Sequence, residues 1–195
     1  PADKQSTVLR FLQYVHEISE LRLYDFDELE LAGVTIESVR AHFIPAQLFD
    51  STCHAFLAMR SSAREQTVLM MQLCYYCGLR RNEALLLAVD DINVESDVLY
   101  VTKFAGRKTA NAPRKISLAL LPQSFYLSLL NYVETRSKTH ERLFDSNAVQ
   151  VHERDFIALL REQTQIPDLV VHSLRHCAAN NFLLFLAQGA FPSIQ

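Results

Sequence analysis

The chain has 195 residues, 49% of them hydrophobic and 21% charged, the length and composition of an ordinary globular protein with one main core. Its formal net charge of −3 excludes a DNA binder of the histone or basic-tail kind, which carries a plainly positive surplus. No apolar run reaches the length of a bilayer span, and residues 1–6 hold no charged-then-apolar export signal, so a soluble, intracellular protein is expected.

Residues 1–50 hold nine acids (Asp3, Glu17, Glu20, Asp25, Asp27, Glu28, Glu30, Glu37 and Asp50) against four bases. Val8, Leu12, Val15 and Ile18 recur at helical spacing there, which predicts one amphipathic helix inside 6–22. Near residue 40 the acidic segment gives way to a mostly apolar body. Residues 1–40 are therefore read as a linker or the end of a preceding domain, and 41–195 as the main domain.

Pro45 suits a first helical turn, with Leu48, Thr52, Phe56 and Met59 on one stripe. A more buried helix is predicted over about 65–77, ended by Gly78, and a short one over about 81–87. The period then changes. Residues 92–94, 98–103 and 114–118 read as three short strands, the last two joined by a basic turn containing Gly106. Helices follow around 122–135 and 151–163, and a last one over about 172–187 is closed by Gly189. The fold class expected is mainly α with a small three-stranded antiparallel sheet, an α+β arrangement.

Cys74-Tyr-Tyr-Cys77 has the CxxC spacing, and Cys53 and Cys177 complete the set. The pair lies in an almost unbroken apolar stretch over 68–77, with no second CxxC or histidine at zinc-finger spacing. The four thiols are read as small hydrophobes, and no metal is expected.

Three features carry chemistry. Arg80 follows the helix stop at Gly78, where a side chain leaves a turn and projects into a cleft; the plainer reading is a surface arginine paired with Glu83, Asp90 or Asp91. His172 and Arg175 stand three apart at a predicted helix start, so they share a face beside a terminus that favours anions; the plainer reading is a polar helix start. Lys103 lies on the predicted hairpin, and 103–115 hold five bases (Lys103, Arg107, Lys108, Arg114, Lys115) and no acid. Such a local positive field suits phosphate, while basic turns also serve simply as solvated strand edges.

Taken together, the order and spacing of these features resemble the tyrosine recombinases of the phage integrase type. In that family an arginine in a GLRxxE context precedes a three-stranded sheet, a lysine sits in the hairpin between its second and third strands, and an HxxR pair opens a later helix. Arg80, Lys103, His172 and Arg175 match those positions, and the resemblance runs over about 43–195, including Asp90-Asp91-Ile92, Leu143-Phe144 and Gly189.

The resemblance implies a recombinase catalytic domain in which a tyrosine hydroxyl attacks a DNA phosphate. Arg80 and Arg175 would hold its non-bridging oxygens, and His172 would act as general base or hydrogen-bond partner. Lys103, chosen over Lys108, would protonate the departing 5′ oxygen. Arg107, Lys108, Arg114 and Lys115 are expected to bind DNA. Neither metal, ATP nor another cofactor is implied. The partners implied are double-stranded DNA and further copies in a tetrameric synapse, with no membrane, in a cytoplasmic protein that joins the nucleoid when bound to DNA.

The family places a further histidine or tryptophan, and then the nucleophilic tyrosine, beyond the equivalent of Gln195. All seven tyrosines of this chain (Tyr14, Tyr24, Tyr75, Tyr76, Tyr100, Tyr126 and Tyr132) precede Arg175 and are read as packing or surface groups. The chain, which begins at Pro1, is accordingly read as a piece of a longer protein, inactive by itself. A non-catalytic DNA-binding or regulatory protein that kept the phosphate clamp, and a type IB topoisomerase-like enzyme, are the alternatives.

Overall fold

The computed structural model describes residues 43–58, 61–101, 114–137 and 142–187. The acidic segment over 1–40, Met59, Lys103, Gly106, Arg107, Lys108 and Gly189 lie outside the described residues. Helix α1 (Ala46–Leu57) follows Pro45 and buries Phe49, Thr52, Cys53 and Phe56. This stripe is rotated from the expected one: Phe49 and Cys53 replace Leu48, which is half-buried. The physical reason is the aromatic packing, since the Phe49 ring stacks on Tyr75 at 3.9 Å and meets Phe156 edge-on at 6.1 Å.

Helix α2 (Ser62–Tyr76) begins at Ser61, whose hydroxyl accepts from the Arg64 amide at 3.2 Å. It is buried over most of its length, with Met70, Met71, Leu73, Cys74 and Tyr75 all sealed from solvent. The Tyr75 hydroxyl donates to the Ile44 carbonyl at 2.6 Å, so its one polar atom is satisfied in the core. Gly78 ends the helix in the left-handed region, at φ 63°, a conformation that a side chain with a Cβ adopts at a cost.

The short helix α3 (Arg81–Leu85) leads through a 3₁₀ turn at Val89–Asp91 into the sheet. Strands β1 (Ile92–Asn93), β2 (Val98–Val101) and β3 (Arg114–Ser117) are antiparallel in the order β1-β2-β3. The register sets Leu99 opposite Ile116 and Val101 opposite Arg114. Because side chains alternate along a strand, Arg114 and Ile116 share the inner face of β3, and Lys115 and Ser117 face outward.

Helix α4 (Gln123–Ser137) matches the expected span closely. Helix α5 (Ser146–Thr164) starts about a turn earlier than periodicity suggested, because the Asp145 carboxylate caps it by accepting from the amides of Asn147 at 2.9 Å and Ala148 at 3.3 Å. Val151, the expected first apolar residue, is 68% exposed. α5 packs along α2 and α1. Helix α6 (Val171–Ala187) follows. Residues His42–Ala179 pack as one unit, and the end of α6, from Asn180, belongs to a second. The described residues are mostly helical with a three-stranded antiparallel sheet, as expected, and no described helix is long and apolar enough to cross a membrane.

Candidate active site

The centre of the site is a buried carboxylate. Arg80 stands in extended conformation at the mouth of α3, and its amide donates to Glu83 Oε2 at 2.8 Å, the bond expected of an acid three residues into a helix. That bond draws Glu83 beneath the start of α3, where it is only 4% exposed.

Three guanidinium groups close around it. Arg80 Nη1 donates to Glu83 Oε1 at 2.8 Å. Arg114 applies a two-pronged grip, Nη2 to Oε2 at 2.7 Å and Nη1 to Oε1 at 3.2 Å. Arg175 Nη1 stands 3.5 Å from Oε2 and donates to the Gly78 carbonyl at 2.8 Å. Arg114 Nη2 also reaches that carbonyl, at 3.5 Å. The left-handed turn at Gly78 thus serves two purposes: it stops α2 and leaves the glycine carbonyl for arginines from β3 and α6.

Burial pushes the Glu83 carboxyl upward, but hydrogen bonds from Arg114 and from the Arg80 backbone and side chain, with the Arg114 charge, more than reverse this. Its pKa falls from 4.5 to about 2. Partial burial, then the Arg80 and Arg114 charges, lower the Arg175 value, and an arginine stays protonated regardless. Three positive groups against one negative leave the cluster cationic. The Arg80 side chain is 49% exposed and that of Arg175 30%, so the positive charge is presented at the surface while its counter-ion lies beneath. Such a group of forked donors suits a tetrahedral oxyanion such as a phosphodiester.

His172 lies one turn before Arg175 on α6, and both face away from Leu174 and Cys177, which are fully buried. This is the orientation expected from the spacing. The His172 ring is exposed and meets His176 edge-on, with centroids 4.9 Å apart. Partial shielding, then His172 and Arg175, hold His176 below the ordinary histidine range.

Of the residues expected to bind DNA, Lys115 is exposed, its Nζ 5.4 Å from the centre of the Tyr100 ring. Arg114 instead turns inward onto Glu83 and Gly78. Sequence reasoning missed the central role of Glu83, which entered only as a surface partner for Arg80. Two signals point to the observed arrangement: the Arg80-x-x-Glu83 spacing of a helix start, and the Arg-Lys-Ile-Ser alternation that puts Arg114 on the same side as Ile116.

The cysteines behave as expected of packing groups. Cys53, Cys74 and Cys177 are buried, and Cys77 is half-buried. Burial raises the Cys53 and Cys74 thiols strongly, Cys77 to about 12 and Cys177 to about 11. Among the described residues no three histidine, cysteine or acidic side chains gather as a metal site. The hydroxyls of Tyr76 and Tyr126 are bonded to Asp50 and Asp97, and Tyr132 is buried against the core.

Comparison with known proteins adds three findings. The family model described as "Phage integrase family" matches residues 47–184. A tyrosine recombinase of Pseudothermotoga lettingae is 27% identical over 192 residues, covering 92% of this chain and 64% of that protein. The crystal structure of XerA recombinase superposes with a TM-score of 0.54 at 19% identity, over 92% of this chain and 62% of that one, a likeness of fold. The chain therefore spans just under two thirds of the length of either relative.

Proposed function

The chain belongs to the phage integrase family, and from that membership we propose that the protein carries out site-specific DNA recombination, cutting and rejoining DNA through a 3′-phosphotyrosyl intermediate. The observation that carries the proposal is the convergence of Arg80 and Arg175 on one carboxylate, that of Glu83, with the bond from Arg175 to the Gly78 carbonyl joining residues 97 apart in the chain.

In this reading the scissile phosphate sits over the exposed side of the cluster. Negative charge growing on its non-bridging oxygens is met by donors already held in place, which lowers the barrier without reorganisation at the moment of reaction. Arg80 and Arg175 are the oxygen clamps. His172, one turn from Arg175, holds or accepts the proton of the attacking hydroxyl. Lys103, in preference to Lys108, donates a proton to the departing 5′ oxygen, so that the leaving group departs as an alcohol. Arg107, Lys108 and Lys115 run along the DNA backbone. The nucleophilic tyrosine is assigned to a residue outside this chain, which by itself is proposed to be inactive.

The test is trapping of covalent protein–DNA complexes. Full-length protein is incubated with fragmented genomic DNA of its source, denatured, and the protein-linked DNA retained and counted. Arg80→Ala and Arg175→Ala are each expected to lower the yield about 100-fold or more, the effect of removing one preorganised oxyanion donor. Wild-type yield from either variant overturns the clamp assignment. Salt-sensitive duplex binding without any adduct overturns the enzyme reading in favour of a non-catalytic DNA binder.

A further inference from the structure

Arg114 differs from the other two arginines of the cluster in what it touches. Arg80 holds one oxygen of Glu83 through its side chain, and Arg175 makes its shorter contact with the Gly78 carbonyl. Arg114 alone among the three lays its side-chain donors on both Glu83 oxygens and also reaches that carbonyl. It is also the least exposed, at 28%, and lies on the inner face of β3 with Ile116, opposite the buried Val101.

A planar guanidinium matched to a carboxylate fixes the carboxylate plane as well as its position. With both Glu83 oxygens engaged by Arg114, the carboxylate leaves Arg175 at the longer distance of 3.5 Å. Without that engagement a buried carboxylate takes the nearest available donor, since an underpaired charge at low exposure is unfavourable. Beyond Arg80, which is already bonded to it, the nearest guanidinium is Arg175.

We propose, building on the recombinase reading above, that Arg114 is a positioning residue: by engaging both Glu83 oxygens it keeps Arg175 off the carboxylate and able to face a DNA phosphate, and it makes no phosphate contact of its own. This separates its role from that of Lys115, the next residue along the strand, whose side chain points outward.

The experiment uses full-length protein with Arg114→Gln and Arg114→Lys. The lysine variant keeps a charge beside Glu83 and loses the fork, so it preserves the fold should the glutamine variant unfold; circular dichroism and thermal melting check both. Covalent-adduct yield is expected to fall about 10- to 100-fold in each, the range for a misplaced catalytic group. Duplex affinity is measured across salt concentrations in an Arg175→Ala background, where the Arg175 contact is already gone: adding Arg114→Gln is expected to leave the slope unchanged, whereas losing a phosphate contact made by Arg114 lowers it by about 0.9. Carboxyl-carbon NMR of Glu83 is expected to show titration at higher pH in Arg114→Gln than in wild type.

A salt slope lowered further by Arg114→Gln in the Arg175→Ala background overturns the proposal, because it makes Arg114 a phosphate contact. Unchanged adduct yield in both variants, or full recovery by lysine, overturns it as well. Failure of the wild-type protein to form any adduct refutes the enzyme reading separately, and the salt slope and Glu83 titration then decide the Arg114 assignment by themselves.

Discussion

Replacing Glu83 with glutamine tests the electrostatic account of the site most directly. Glutamine keeps the shape of the side chain, removes its charge, and turns one acceptor into a donor that faces guanidinium N–H groups. In the wild type the carboxyl pKa falls from 4.5 to about 2. At about 1.4 kcal/mol per unit this corresponds to about 3 kcal/mol of stability at neutral pH. The three arginines are 28–49% exposed and recover some hydration when the anion is lost, so about 2–3 kcal/mol is the expected cost. For a protein of this size that lowers Tm by about 4–12 °C.

The pH dependence has a fixed sign. A carboxyl depressed by folding stabilises above its unfolded pKa, and the gain is lost as pH falls through the folded value. The gap in Tm between wild type and Glu83→Gln should therefore be full at pH 7 and begin to narrow below about pH 4.5; at pH 3 about half or less should remain. Differential scanning calorimetry between pH 3 and pH 7 reads this directly. Equal stability at pH 7, or a gap of constant size down to pH 3, would falsify the assignment of Glu83 as the ionised centre of the cluster.

Gly78→Ala forces a Cβ onto a left-handed residue and brings it to 3.4 Å from the Ala178 Cβ; a loss of about 1–2 kcal/mol by urea denaturation is expected, with lower adduct yield because the carbonyl shifts. An unaltered urea midpoint would contradict this. Asp145→Ala removes the cap of α5 and should cost about 1 kcal/mol in the same assay, with no change in DNA cleavage. Tyr75→Phe keeps the stack on Phe49 and strands the Ile44 carbonyl, for an expected loss of about 1–2 kcal/mol; a neutral result would mean that another donor reaches that carbonyl.

Much of the fold was readable because its punctuation is strong. Gly78 marks the end of α2 whatever surrounds it, and the change of period after residue 90 announces the sheet. The three-residue spacing of His172 and Arg175 fixes a common face before any tertiary structure is known. Less visible were features decided by packing. The stripe of α1 turns on the choice between Leu48 and Phe49, which only the Tyr75 ring opposite settles. Asp145 was passed over because the first turn of α5 presents few apolar residues to reveal a period.

The site was legible in part for the same reason. Sequence supplied Arg80, His172 and Arg175 as separate candidates, each with a plain surface alternative. For Arg80 the two readings coincide, since it does pair with Glu83. What the sequence did not convey is that the pairing is buried and shared by three cations. Acidic residues are ordinarily solvent-facing, so a carboxylate is assigned to the surface by default, and its burial depends on β3 arriving beside α3.

The bond from Arg175 to the Gly78 carbonyl has a consequence for synthesis on the ribosome. Gly78, Arg80 and Glu83 emerge together, whereas Arg175 follows only after 97 further residues relative to Gly78. A nascent protein halted anywhere before α6 therefore holds Glu83 by Arg80 and Arg114 alone, and the Gly78 carbonyl lacks its shorter arginine bond. The polymer must be translated through α6 before the three-arginine cluster around Glu83 is complete.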